Sequence, residues 1–297
     1  MKFADCYAPG RFGLSMELFP PKTPKGMDAL MRHVQRLMDF APDIVTCTYG
    51  AGGSTRDRTL EVAQRVHRRF GVSVAAHLTL VGSTVEQLRS FLREAWERGI
   101  ENIVALRGDP PRDQQDFRPV PGGLRYANEL VELIRREFPQ FGVAVAGYPE
   151  THQEAPSPEA DLQNLLRKVQ AGADVVITQL FYDNQDFFRF RQRAGEVGVR
   201  VPIVPGLLPI LNLAQVKRIT SLCGAKLPQE LIEQMGRYED GSPEQFRLGV
   251  EFAARQVQEL VDQGVPGLHF YVLNRSEATS AILSQVKLPR AGAKPSP

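Results

Sequence analysis

A carboxylate stands inside an apolar run at the start of the chain. Glu17 is flanked by Met16, Leu18 and Phe19 within residues 14–19. Burial penalises the charged form of a carboxyl group. A carboxyl that keeps its proton near neutral pH suits general acid catalysis. Other polar residues end similar runs. Thr48 and Tyr49 end the second, His77 lies within the third, Arg107, Gly108 and Asp109 end the fourth, and Tyr148, Glu150 and His152 follow the fifth. Gln179 ends the sixth, Pro205 and Gly206 the seventh, and Tyr271, Asn274 and Arg275 the eighth. Each alone has a plainer reading. Glu17 reads as a solvated loop residue, His77 as a satisfied core histidine, Arg107 with Asp109 as an ion pair beside a turn, and Gln179 as a partner for nearby backbone. Chance would scatter such groups over both ends of the runs, whereas here they gather at one.

A second constellation lies at 160–170. Leu162, Leu165, Leu166 and Val169 recur at the spacing of one helix face, which is the core face. Asp161, Asn164 and Lys168 recur along a flank, with Arg167 nearby. That flank reads either as a solvated face or as a shelf for a ribose-phosphate chain, with cations for a diphosphate and carboxylate and amide for hydroxyls.

The elements that would position these groups follow from hydrophobic periodicity. Eight short apolar runs, 13–19, 43–49, 73–80, 102–107, 142–148, 174–179, 202–206 and 268–273, read as strands buried on both faces of a parallel sheet. Helical patterns lie between them. The segment 57–70 has Leu60, Ala63, Val66 and Phe70 on one face, and 124–138 has Leu124, Ala127, Val131, Ile134 and Phe138. Ser83 or Thr84 caps a helix that Gly99 stops. The segments 213–222, 229–235 and 243–263 are extra helices before the last strand. Alternation of this kind predicts an α/β fold, a (β/α)₈ TIM barrel, whose active site forms at the C-terminal strand ends. A doubly wound open sheet is the competing architecture, but no GxGxxG follows the first strand.

The whole chain, 1–297, reads as one catalytic barrel domain with a tail, 288–297, expected to fray. A net charge of +2 gives no footprint for nucleic acid or an anionic membrane. No apolar run approaches the roughly 20 residues of a membrane span. Cys6, Cys47 and Cys223 are odd in number, widely spaced and free of CxxC pairing, which argues against a metal site and for free thiols. With no signal-peptide core at the N-terminus, these features place the chain in the cytoplasm.

The same residues resemble the methylenetetrahydrofolate reductase family. The likeness is carried by Ser15-Met-Glu-Leu-Phe-Pro-Pro-Lys-Thr23, by Val45-Thr-Cys-Thr-Tyr-Gly-Ala51 with Arg56-Asp-Arg-Thr59, by Ala76-His-Leu-Thr79 and by Leu106-Arg-Gly-Asp-Pro-Pro111. Tyr148-Pro-Glu-Thr-His152, Ala160-Asp-Leu with Asn164 and Arg167-Lys168, and Ile177-Thr-Gln-Leu-Phe-Tyr-Asp183 continue it. Pro205-Gly-Leu-Leu-Pro209 and His269-Phe-Tyr-Val-Leu-Asn-Arg275 complete it. The resemblance runs in order from about Leu14 to Ile282. It implies a bacterial-type enzyme, the catalytic barrel only, holding FAD and passing hydride from NADH or NADPH to 5,10-methylenetetrahydrofolate in a ping-pong reaction. By motif, Glu17 would be the general acid, and Asp109 would lie beside the flavin and the pterin. Thr48, Tyr49, His77, Arg107, Gly108, Asp109, Tyr126, Ala127, Tyr148, His152, Asp161, Asn164, Arg167 and Lys168 would hold FAD. Glu17, Gln179, Gln215, Tyr271 and Arg275 would contact folate. Relatives assemble as dimers or tetramers, which implies a homo-oligomer. The sequence departs from the family pattern in the turn 50–55 and at Ile219, where some relatives carry an aromatic residue. The chain ends soon after the barrel, so no domain responding to S-adenosylmethionine is expected. The competing functions are a flavin-free pterin-binding barrel methyltransferase and a non-catalytic folate- or flavin-binding protein.

Overall fold

The structure, a computed structural model, describes residues 1–49, 56–109 and 118–290, with only the backbone of Arg56. The turn 50–55, the end of the Leu106-to-Pro111 motif and the tail from 291 lie outside the described residues. The strands are β1 (Gly13–Leu18), β2 (Ile44–Cys47), β3 (Ser73–Thr79), β4 (Asn102–Leu106), β5 (Gly142–Gly147), β6 (Val175–Thr178), β7 (Ile203–Val204), β8 (Gly206–Leu207) and β9 (Gly267–Tyr271). The helices are α1 (Phe3–Cys6), α2 (Pro24–Leu37), α3 (Arg56–Phe70), α4 (Val85–Glu97), α5 (Ala127–Glu137), α6 (Pro158–Gln170), α7 (Asn184–Glu196), α8 (Leu213–Cys223), α9 (Gln229–Met235), α10 (Pro243–Asp262) and α11 (Glu277–Leu283).

Every strand pair is parallel, and the order β7-β6-β5-β4-β3-β2-β1-β9-β8 closes the sheet. The expected (β/α)₈ barrel is therefore present, with α8, α9 and α10 before the last strand as anticipated. One stave differs. The run 202–206 is not a single strand, because Pro205 carries no N–H for the ladder. The stave breaks into β7, which pairs with β6, and β8, which pairs with β9. Across the break, the Gly206 N–H donates to Thr178 Oγ1 at 2.9 Å, and the Tyr271 hydroxyl donates to the Thr178 carbonyl at 2.6 Å. Only glycine fits at 206. A Cβ there would lie 2.1 Å from the Thr178 carbonyl oxygen and 2.8 Å from the Tyr271 ring and hydroxyl.

Helix boundaries follow capping chemistry. The Thr84 hydroxyl accepts from the Gln87 N–H, and the Gln87 side chain accepts from the Thr84 N–H, so α4 starts in a capping box. The pattern 124–138 begins three residues too early, since Tyr126 is the cap and Ala127 the first helical residue. α6 buries Leu162 and Leu165, while Leu166 and Val169 pack on the core at its margin.

The structure adds two short helices beyond those patterns. α11 packs on α2 and α10. α1 plugs the N-terminal end of the barrel. Phe3, Cys6 and Tyr7 join Ile44, Ala75, Val104, Ala144, Val175, Ile177 and Val204 in one buried cluster, the barrel interior. Asn102, fully buried at the start of β4, anchors this plug. Its Oδ1 accepts from the Phe3 N–H at 2.9 Å and its Nδ2 donates to the Met1 carbonyl at 3.0 Å. No helix among the described residues is long and apolar enough to cross a membrane.

The Gly206 contact makes a stability test. Gly206→Ala forces a methyl group against backbone that cannot move without opening the stave. We expect a loss of about 1–3 kcal/mol, as for other overpacked cores, read as a lower urea midpoint. An unchanged midpoint would show that β7 and β8 can part without cost.

Candidate active site

At the C-terminal strand ends the barrel opens into a cavity of about 500 Å³. Its walls include Glu17, Thr48, Tyr49, His77, Asp109, Tyr148, Gln179 and Tyr271, with Leu208, Ile219 and Leu273 as apolar cover. A larger cavity, about 690 Å³, lies between α7 and α10 near Asp183, Lys226 and Arg255. Volume does not decide between them. The converging strand-end groups line the first, and reaction chemistry needs convergence.

Strand register builds the centre. Side chains alternate across a strand, so Ser15 and Glu17 of β1 share the inner face. In register, Ser15 pairs with His269, and Glu17 pairs with Thr46 on one side and Tyr271 on the other. Glu17 is 6% exposed. Its Oε2 lies 3.3 Å from His77 Nε2 and 3.6 Å from His269 Nε2. His77 Nε2 is also 3.4 Å from Thr46 Oγ1. Burial lowers the His77 pKa, an effect that the Glu17 carboxylate partly offsets. His77 is thus a neutral imidazole near pH 7, and its contact with Glu17 is polar rather than an ion pair.

From this centre a trough runs across β3, β4 and β5 toward α6. Two smaller pockets, about 240 and 220 Å³, share Leu106, Arg107, Tyr148 and His152 along it. Gly108 holds φ +86°, and a Cβ there would meet Val81 at 2.6 Å and Thr79 at 3.0 Å, so the backbone runs close to the wall. Beside it Thr79 Oγ1 is buried with no hydrogen-bond partner. Arg107 donates to Glu154 in bidentate fashion at 2.5 and 2.6 Å. That contact holds Glu154 below the usual carboxylate range.

Farther along, Lys168 Nζ donates to the Ala146 carbonyl at 2.6 Å and lies 5.7 Å from the Tyr148 ring centroid. Burial pulls its pKa down to about 8, and Asp161 opposes the shift. Asp161 accepts from the His152 N–H at 3.0 Å. The His152 ring packs edge-on to Tyr148, and burial lowers its pKa. Tyr126, half exposed, and Ala127 close the far end. Asn164 faces the trough, while Arg167 is exposed and donates to Asn164 Oδ1 at 2.8 Å.

This trough fits a dinucleotide-like cofactor such as FAD. It has a glycine cradle, an unpartnered buried hydroxyl, cations for a diphosphate, and carboxylate and amide groups for hydroxyls. The structure brings together sixteen of the nineteen site residues singled out from the sequence, from Glu17 to Tyr271. Arg167 stands at the margin, and Gln215 and Arg275 are exposed and form no part of the walls described. Tyr271 lines the cavity with its ring but commits its hydroxyl to Thr178. Glu150 turns away, and both its oxygens accept from the Lys226 N–H at 3.0–3.1 Å. The sequence reading quoted Ser15, Thr79 and His269 within its motifs but gave them no role, and it omitted Glu154. Period-two alternation back from Tyr271 would have put His269 on the inner face.

A model of the family described as methylenetetrahydrofolate reductase matches residues 2–287. The chain is 38% identical over 276 residues to the 5,10-methylenetetrahydrofolate reductase of Escherichia coli strain K12, covering 92% of this chain and 90% of that one. It is 37% identical over 297 residues to methylenetetrahydrofolate reductase (NADH) 1 of Zea mays, covering 97% of this chain and 50% of that one. The chain spans about half the length of the plant relatives it matches. Among solved structures, an uncharacterized protein from Clostridium thermocellum that binds two copies of 5-methyl-5,6,7,8-tetrahydrofolic acid superposes with TM-score 0.64 and 16% identity, covering 95% of this chain and 94% of that one. That likeness shows the barrel fold. With the family match spanning nearly all of the chain and the bacterial relative aligned almost end to end, this chain belongs to the methylenetetrahydrofolate reductase family.

Proposed function

We propose that the chain reduces 5,10-methylenetetrahydrofolate to 5-methyltetrahydrofolate with NADH or NADPH, using FAD as a resident cofactor. The names of its relatives support the reaction, and the maize name favours NADH. The observation that carries the reading is a buried carboxyl, Glu17, at the head of a trough that ends on Lys168 and Asp161.

FAD, when bound, would accept a hydride from the nicotinamide and deliver it to the folate, dividing the reaction into two half-reactions. Arg107 and Lys168 would hold its diphosphate, with Asp161 and Asn164 on hydroxyls and Arg167 at the margin. Gly108 lets that chain approach the backbone, and Thr79 Oγ1 offers a hydroxyl in need of a partner. Thr48, Tyr49, His77, Tyr126, Ala127, Tyr148 and His152 would form the remaining walls. Asp109, at the rim of the central cavity, places a negative charge that disfavours anionic ring systems beside it. Gln179 and the Tyr271 ring would face the folate. The exposed Arg275 and Gln215 would reach its outer, carboxylate-bearing end.

Glu17 has the defining task. The imidazolidine ring of the substrate opens when a C–N bond breaks, and the departing nitrogen needs a proton. Glu17, in its acid form on the cavity wall, would supply it.

Two measurements test this. In Glu17→Gln, flavin reduction by NAD(P)H should run near the normal rate, while hydride transfer to folate falls at least ~10²-fold, the usual worth of general acid catalysis. Single-turnover kinetics separate the two. Equal slowing of both would make Glu17 a structural residue, and intact folate reduction would move the acid elsewhere.

For the cofactor, Lys168→Ala should weaken FAD binding about ten- to a hundredfold, the worth of one charge-assisted contact. The pH dependence has a definite sign. Only protonated Lys168 attracts a diphosphate, and in the free protein it loses its proton as pH rises through about 8. FAD affinity should therefore fall above that pH in the parent protein and lose this dependence in Lys168→Ala. Titration of apoprotein with FAD by fluorescence reads both, and identical curves would assign Lys168 to solvent and the Ala146 carbonyl alone.

A further inference from the structure

Behind Glu17, on the side away from the mouth, runs a file of buried polar groups that the reaction above leaves unused. Ser15 Oγ lies 2.7 Å from His269 Nδ1 and 2.6 Å from Tyr7 Oη. The other ring nitrogen of His269 faces Glu17 at 3.6 Å. Ser15, His269 and Tyr7 are each at most 1% exposed. Tyr7 reaches this position because two glycines make room. A Cβ at Gly13 or Gly267 would sit 2.5 or 2.7 Å from its ring. Phe3, held by Asn102, sets the helix that delivers it.

The hydrogens in such a sealed file can be counted. Two links are hydrogen bonds, Tyr7 to Ser15 and Ser15 to His269, and the far imidazole nitrogen faces Glu17 at 3.6 Å. A phenol is the stronger donor of the two hydroxyls, and Ser15 brings a single proton to pass on. Tyr7 donates to Ser15, Ser15 donates to Nδ1, and Nε2–H points at Glu17. Burial pushes the phenol well above its ordinary pKa, so Tyr7 remains a donor.

We infer that Tyr7 is a positioning residue that, through Ser15, fixes His269 as the Nε2–H tautomer. The consequence for the reaction rests on the reading of Glu17 as the acid; the tautomer itself does not. An Nε2–H cannot accept the Glu17 proton. The way inward through His269 is thereby closed to that proton, which passes to the substrate nitrogen in the mouth. Once it has gone, Nε2–H faces the carboxylate left behind, and Glu17 is reprotonated from solvent through the mouth. His269 gains and loses no proton in the cycle.

The test starts from the five histidines of the chain, few enough for each imidazole to be assigned by ¹⁵N NMR on histidine-labelled holoenzyme. His269 should show protonated Nε2 and bare Nδ1 in the parent protein. In Tyr7→Phe, which keeps the ring between the two glycines, the signal should become a mixture of tautomers. Ser15→Ala should do the same by cutting the file at its middle. In stopped-flow runs, Tyr7→Phe should slow folate reduction about three- to tenfold, the worth of one buried hydrogen bond, with flavin reduction by NAD(P)H unmoved. A bare Nε2 in the parent protein overturns the inference, as does one unchanged tautomer in both variants. Should Glu17→Gln reduce folate normally, the acid assignment fails while the tautomer result stands apart from it.

Discussion

Withdrawal of the Glu17 carboxyl from water is the constraint around which the barrel mouth is arranged. An isolated buried carboxylate is costly, and proteins offset that cost with polar partners or by keeping the group neutral. Here the partners come from the neighbouring staves. Parallel register sets His269 opposite Ser15 and Thr46 opposite Glu17, and His77 reaches in from β3. A slip of one residue between β1 and β9 would send this set to the helix-facing side. The broken stave serves the same end. Pro205 interrupts the ladder, Gly206 lets Thr178 and Tyr271 approach, and their hydrogen bond ties β9 to β6 at the rim.

The trough beside this centre is electrostatically balanced before any ligand enters. Arg107 is matched by Glu154 in two short hydrogen bonds. Lys168 is turned onto a carbonyl and loses part of its basicity to burial. A bound diphosphate would have to draw both cations from these partners, and so its net gain is smaller than the count of charges suggests. Glu154 is half exposed, so it can return to water at small cost. A ligand entering the trough would thus exchange with partners already in place.

Much of this was legible in the chain because barrel strands carry a strong signal. Residues buried on both faces read as apolar runs, and polar groups breaking those runs at one end mark the mouth. Glu17, His77 and Gln179 were found in that way, and the α6 stripe followed from helical spacing. Other features left no such trace. α1 is four residues long, too short for a periodic pattern, and its place in the barrel floor depends on Asn102, about a hundred positions away. The split at Pro205 was visible as a proline but lay inside an otherwise good strand pattern. Glu154 belongs to a loop, where no periodicity applies, and its pairing with Arg107 is purely tertiary. The exposed positions of Gln215 and Arg275 could not be read from residue type at all.

These two kinds of feature differ in what holds them. Strands and helix faces are specified by many residues acting alike, so the pattern survives any single exception. The plug, the broken stave and the polar file behind Glu17 each depend on a few small residues that leave space: Gly13 and Gly267 for the Tyr7 ring, Gly142 for the Asn102 amide, Gly206 for the Thr178 carbonyl. A glycine announces room but not its occupant. The occupant is named only when the barrel closes and brings residues from opposite ends of the chain together, as it does with Ser15 and His269. The arrangement at the mouth therefore rests on two layers. The sheet supplies direction and register, and the glycines beneath it decide which buried polar groups can line up behind Glu17.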